Sequence, residues 1–406
     1  MLKPLSATLK TVAIACLGAL GLAGAAQAQI SGDVVRIGFI TDMSGVYADI
    51  DGQGGVEAIK MAIADAGGAI AGKKIELVTA DHQNKADVAA AKAREWFDTN
   101  GVDILIAGTN SGTNLAMAKV AAEKHKIIIS VGGGTSALTN EQCAPTTIHW
   151  AYDTTALAKG TGGAVTKAGG KTWYFLQADY AFGAALEGDT AKVVEANGGK
   201  VLGVVKHPLS ASDFSSFLLQ AQASKAQILG LANAGGDTIN AIKAANEFGI
   251  TKTMKLAGLL MFISDINSLG LKATQGMYLT DSWYWNQNAE ARTWGHRFFD
   301  TTKREPTSVQ AGDYSAATQY LAAVKSIGTD DPDKVLAKMR TMKFNDMFVK
   351  GGWIRGDGSM IHDMYLMRVK TPEASKEPWD YYEVEDVIKG EAAWTTKAET
   401  RCAAWK

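Results

Sequence analysis

Short β-branched runs alternate with longer helical patterns from Val34 onward, and a second series of the same kind starts afresh after residue 153. Together they predict an α/β protein of two Rossmann-like lobes with parallel central sheets. A third observation, a run of helices without intervening strands beyond Thr280, predicts that the chain returns to the first lobe. Three crossovers then join the lobes and leave a cleft between them. With 47% hydrophobic residues and 43 glycines in 406 residues, the chain is long enough for two cored units rich in tight turns.

In the first series, residues 34–40, 75–79, 104–107 and 127–131 read as strands, and 56–66, 86–99 and 115–124 as the helices between them. Residues 150–153 form the first crossover. In the second series, helices at 155–168, 183–196, 214–223 and 238–248 alternate with strands at 172–176, 201–205 and 228–231. Helical patterns at 290–303, 311–327 and 332–342 then return to the first lobe. Past Lys350, apolar runs flanked by glycines read as a hairpin rejoining the second lobe. The expected division is 29–152 with 284–348 for the first lobe, 153–283 with 349–375 for the second, and a tail over 376–406. Several crossovers make a hinge with a defined axis, around which a cleft can close.

Residues 1–28 carry Lys3 and Lys10, an apolar run over 12–26 and the small triplet Ala26-Gln27-Ala28, the layout of a cleaved secretory signal peptide. The run is broken by glycines and shorter than the roughly 20 residues that cross a bilayer. The mature chain is expected to begin near Gln29, outside the cytoplasm, with Cys16 discarded. Cys143 and Cys402 then remain as an even pair in an oxidising compartment, which suits a disulfide that tethers the tail; two separately buried thiols are the alternative. Loss of Lys3 and Lys10 takes the 41 basic residues to 39 against 42 acidic ones, a net charge near −3 that argues against nucleic acid as a partner.

Ligands of open parallel sheets sit at the carboxyl ends of strands, so the loops after each strand carry the chemistry. Three stand out: Asp42-Met43-Ser44-Gly45-Val46-Tyr47, the run from Gly108 to Asn114, and Gly132-Gly133-Gly134-Thr135-Ser136. The latter two place hydroxyls and glycines directly before helical segments, where free N–H groups and a partial positive charge can hold an anion without a lysine or arginine. Ser111, Gly134 and Thr135 can hold one carboxylate between them, although any single hydroxyl there equally serves as a helix cap. The glycine triplet lacks the GxGxxG spacing, and no GxxxxGK[ST] motif occurs, so no nucleotide cofactor is expected. The six histidines are scattered, with no HxxxH pair, no metal-ligand set and no GxSxG elbow, so no enzyme activity is expected either.

These residues resemble the periplasmic solute-binding proteins of ABC importers, specifically the branched-chain amino acid (leucine/isoleucine/valine-binding) type, over nearly the whole mature chain. The likeness is carried by Arg36-Ile37-Gly38 leading into Asp42-Met43-Ser44-Gly45, by Ile75-Glu76-Leu77-Val78, by the loops containing Ser111 and Gly132, and by Asp179-Tyr180-Ala181-Phe182-Gly183. The resemblance implies a type I periplasmic binding protein fold and a monomer that delivers its ligand to a membrane permease. It also implies a ligand carboxylate held by Ser111 and the backbone from Gly132 to Thr135, with Phe182 covering the ligand. Amino-acid-binding members supply an acid for the ligand ammonium in the loop that here reads Gly258-Leu259-Leu260-Met261-Phe262, with none before Asp265.

A buried ammonium without a counter-charge costs several kcal/mol, so an acid lacking an amine is expected. Aromatic residues gather around the expected cleft: Tyr47, Trp150, Tyr152, Phe182, Phe262, Trp283, Tyr284 and Trp285. Trp285 and Phe262 fit a core or surface turn better. Members similar around Tyr47 and residues 178–183 include binders of benzoate-like and phenylpropanoid-like acids. The expected ligand set is therefore Tyr47, Ser111, Gly132, Gly134, Thr135, Trp150, Phe182, Asn233, Leu260 and Tyr284, with Asn233 either bonding a ring hydroxyl or forming a turn. Binding of a branched-chain or other amino acid or amide, and a ligand-sensing receptor module of the same fold, are the alternatives.

Overall fold

The computed structural model describes residues 29–405; the expected signal peptide and Cys16 lie outside the described residues. The first lobe is built on strands β1 (Val34–Thr41), β2 (Ala69–Ile70), β3 (Lys73–Asp81), β4 (Ile104–Ala107), β5 (Ile127–Ser130) and β6 (Thr147–His149). They lie in the order β2-β3-β1-β4-β5-β6, parallel except for the short β2. β4 and β5 are buried along their whole length, which is why they read as unbroken apolar runs. Helices α1 (Gly52–Asp65), α2 (Ala86–Thr99) and α3 (Ser111–Glu123) connect them. α1 begins four residues earlier than its apolar period suggests, because Gly52-Gln53-Gly54-Gly55 supplies the first turn.

The second lobe follows the same logic. Helical segments α4 (Thr154–Leu157) and α5 (Gly163–Lys167) are joined by a π turn, Ala158–Gly162. A Cβ at Gly160 would lie 2.1 Å from Thr280 Oγ1, so the widened turn is where the helix presses onto the neighbouring strand. Then come β7 (Thr172–Ala178), α6 (Ala181–Ala196), β8 (Lys200–His207), α7 (Ser215–Ala223), β9 (Ile228–Ala232), α8 (Gly235–Glu247) and β10 (Lys255–Gly258). Their parallel sheet has the order β10-β9-β7-β8. After α9 (Ile263–Leu269) and α10 (Leu271–Thr274), β11 (Tyr278–Asp281) closes the lobe.

The chain then returns to the first lobe as α11 (Ala289–Thr302), α12 (Ser308–Ile327) and α13 (Pro332–Thr341), with α12 packed along α1. The strands β12 (Phe344–Asn345), β13 (Lys350–Ile354) and β14 (Met360–Ile361) form a small antiparallel sheet. Ser359 in its turn bridges His149 at the end of β6. This hairpin therefore stays on the first lobe, a correction to the expectation that it rejoins the second: Phe344 and His149 give its strands partners on the first sheet's side. The third passage comes later, at His362-Asp363, and leads to β15 (Met364–Val369), which pairs antiparallel with β11, and to β16 (Tyr382–Ile388), which pairs antiparallel with β15. His362 Nε2 lies 2.9 Å from the Ala151 carbonyl, tying the third crossover to the first.

The tail is a strap across the hinge. Lys159 Nζ donates to the Trp394 carbonyl, and Trp394 Nε1 donates to His362 O. Cys402 is then disulfide-bonded to Cys143 of the first lobe, across a sequence separation of 259. The last residues end on that lobe, with the Trp405 ring 4.1 Å beneath the Arg355 guanidinium.

Candidate ligand-binding site

The loops after β1, β4 and β5 face those after β7, β9 and β10 across a small cavity. Its first-lobe wall is built around two carboxyl or amide anchors. Asp42 Oδ1 accepts the Gly45 N–H at 2.7 Å, and its Oδ2 accepts Tyr47 N–H at 2.9 Å, which aims Tyr47 across the cleft. Asn110, at φ +78°, caps α3 by accepting the Thr113 N–H at 3.1 Å, and this turn sets Ser111 as the first helical residue. Ser111 and Gly112 thus have N–H groups without an intrahelical acceptor, at the positive end of a 13-residue helix.

Ser111 Oγ accepts the Thr135 N–H at 3.0 Å. A hydroxyl that accepts still has its own O–H to donate, so Ser111 presents one free donor in the cavity wall. The glycines opposite are required by close packing: a Cβ at Gly132 would sit 2.9 Å from the Thr109 nitrogen, and one at Gly134 3.0 Å from both Tyr152 and Phe182. Aromatic rings make most of the remaining wall, with Tyr152 6.1 Å from Phe262 and Tyr180 6.2 Å from Phe182 between centroids. Burial holds the Tyr47, Tyr152 and Tyr180 phenols well above their usual pKa, so they stay protonated.

The lobes touch across the cavity. Tyr47 OH lies 2.6 Å from Tyr180 OH, and the N–H of Gly236, near the start of α8, donates to Val46 O at 2.9 Å. The structure is therefore a closed form.

Five of the ten expected residues line this cavity: Tyr47, Ser111, Gly132, Phe182 and Leu260. Gly134 and Thr135 stand just behind, one against the rings and one on Ser111. Three are elsewhere. Trp150 donates its Nε1–H to Ser315 Oγ at 3.3 Å and packs on Phe344, inside the first-lobe core. Asn233 is held between His207 Nε2 at 3.0 Å and Thr238 Oγ1 at 2.7 Å, which uses its amide to fix the loop after β9. Tyr284 turns to Tyr382 and donates to Asp380 at 3.3 Å. Phe262, expected to fit a core or surface turn better, lines the cavity instead, and Ile50, Thr109, Asn110, Tyr152, Tyr180 and Ala234 line it from outside the expected set; Tyr180, two residues before Phe182 in the same loop, is the signal available. No Lys, Arg, Asp or Glu is among the lining residues. Asp265 turns back to accept the Phe262 N–H at 3.0 Å, and burial pushes its carboxyl up to about 7.

A family model described as periplasmic binding protein matches residues 34–376. The chain belongs to the periplasmic binding protein family. Its fold is the type I form of that family, whose members serve as solute-binding components of ABC transporters. It is 69% identical to a periplasmic binding protein from Burkholderia mallei, with a TM-score of 0.91 over 92% of this chain and 100% of that one. It is 41% identical to a branched chain amino acid ABC transporter periplasmic ligand-binding protein from Burkholderia xenovorans LB400, with a TM-score of 0.81 over 92% of this chain and 100% of the other. At 20% identity it shares the fold, with a TM-score of 0.81 over 91% and 99% of the two chains, with a Rhodopseudomonas palustris ABC transporter solute binding protein in complex with benzoate.

Proposed function

We propose that this solute-binding protein closes on a small aromatic carboxylate, a benzoate or phenylpropanoid type of acid, and hands it to the permease of an ABC importer. The observation that carries this reading is the composition of one wall against the other. A free Ser111 hydroxyl at a helix N-terminus faces rings and aliphatic groups, with no acid to receive an ammonium. The mostly aromatic and aliphatic lining suits a ring, and the Ser111 hydroxyl suits its acid arm. The benzoate held by a protein of the same fold supports the class.

Thermal-shift screening of the mature protein tests the proposal. Benzoate, hydroxybenzoates and cinnamates are expected to raise the melting temperature, and branched-chain amino acids and short amides are not. A shift given only by leucine, isoleucine or valine would transfer the assignment to the amino-acid reading, which the Burkholderia xenovorans relative supports. Secretion through a signal peptide cleaved near Gln29, and a monomeric state, belong to the same proposal; mass spectrometry of the exported N-terminus and sedimentation test them.

A further inference from the structure

Behind the cavity wall lie two carboxyl groups that the binding site as described does not use. Asp51 precedes α1 and Asp313 belongs to α12, and both are fully buried. A Cβ at Gly55 would lie 2.2 Å from Asp51 Oδ1 and 2.7 Å from Asp313 Oδ2, so the glycine is what admits both carboxyls to one space between the helices. Asp51 Oδ2 accepts Thr41 Oγ1–H at 2.5 Å and the Thr109 N–H at 3.2 Å. Asp51 Oδ1 and both oxygens of Asp313 have no donor in the protein. Among the described residues no Lys, Arg or His bonds to either carboxyl. The titratable groups facing them are Asp42, from the loop after β1, and the Tyr152 phenol of the first crossover, and both oppose further negative charge. The imidazole of His82 is engaged by the Thr109 carbonyl at 2.9 Å.

Three buried acceptors on two adjacent carboxyls gain a donor only when a proton sits between them, and two neighbouring carboxylates in a low dielectric do not both ionise. The pair is also connected to the cavity. Ile50 and Thr109 line it, and Thr109 Oγ1 lies 3.3 Å from Thr41 Oγ1, the hydroxyl that donates to Asp51. We propose that Asp51 and Asp313 share one proton, and that a carboxylate entering the cavity draws a second proton onto the pair. The inference rests on the carboxylate reading of the site. No cation lines the cavity to neutralise an incoming anion, so proton uptake removes a negative charge that would otherwise face it. Burial raises both carboxyls above their ordinary range, and the neighbouring Asp51 charge acts on Asp313 in the same direction, which favours proton uptake by the pair.

Titration calorimetry with the acid selected by the thermal-shift screen, between pH 6 and 8 in buffers of different ionisation enthalpy, measures the protons taken up. A carboxylic acid ligand stays ionised throughout, its own pKa lying near 4. The wild-type protein is expected to take up as much as one proton per ligand, and its Kd to rise by up to about tenfold per pH unit. In the Asp51→Asn/Asp313→Asn double variant, whose amides mimic neutral acids, the buffer dependence and the pH slope are expected to vanish. A ligand-minus-free infrared difference spectrum of the wild type supplies a second reading that needs no variant: a new protonated-carboxyl C=O band is expected. Binding without proton uptake and without that band would overturn the proposal alone, as would uptake undiminished in the double variant. Failure of every acid to bind at any pH would overturn the carboxylate reading and this proposal with it.

Discussion

Replacing Ser111 by alanine separates two contributions that the structure assigns to one oxygen. In the free protein, Ser111 Oγ is the acceptor for the Thr135 N–H, and Thr135 is only 2% exposed. Deleting that acceptor strands a buried donor, at a cost of about 1–3 kcal/mol in the free and ligand-bound forms alike. This part lowers the melting temperature and cancels from the dissociation constant. The second part exists only with ligand: the free O–H that donates to a carboxylate is lost, and a hydrogen bond to a charged group contributes about 1.5–3 kcal/mol. The Kd for the acid chosen by screening should therefore rise roughly 10- to 150-fold. Calorimetry and thermal melts on Ser111→Ala read the two parts separately. A lowered melting temperature with Kd within about twofold of wild type would refute the reasoning, leaving Ser111 as a brace for the Gly132–Thr135 loop.

Tyr47→Phe removes one half of the hydroxyl pair that spans the cleft at 2.6 Å and leaves the buried Tyr180 hydroxyl unpaired; a cost of about 1–3 kcal/mol borne by the closed form predicts faster ligand release in stopped-flow, and an unchanged off-rate would count against that role. Burial pushes Asp153, Asp265 and Asp281 up to about 7, above the unfolded value near 3.8, so the native state holds more protons and stability gained below pH 4 is lost as pH rises through 7. The melting temperature should accordingly be higher at pH 5.5 than at pH 8, with a shallower slope in Asp281→Asn; the opposite trend would contradict the assigned burial. Reduction of Cys143–Cys402, which closes a loop of 259 residues, should cost about 3–5 kcal/mol and lower the melting temperature, an effect that Cys143→Ser should abolish.

The strands legible in the sequence were those whose residues are buried on both faces, such as β4, β5 and β9, where composition alone marks the element. β6, three residues long, and β16, mostly exposed, carry no such mark and read as loop and tail. In the site, polar positions defined by backbone geometry were easier to read than rings. Ser111 and Gly132 follow from where helices start and strands end, whereas an aromatic in a loop at the sheet's carboxyl edge can swing to the cavity or to the core. Trp150 and Tyr284 took the second course because Ser315 and Asp380 offered partners for their polar atoms. Such partners lie far off in sequence, and no local pattern announces them.

The strap that ends in Cys402 turns the polypeptide into a ring. All three crossovers, at 150–153, near 282 and at 362–363, fall between Cys143 and Cys402, so cutting any one of them opens the ring without dividing the molecule. A nick in a hinge strand would leave both halves covalently joined. The damage would surface on a gel only after a thiol is added. In this member of the periplasmic binding protein family, the segment that carries Cys402 acts as insurance for its joints.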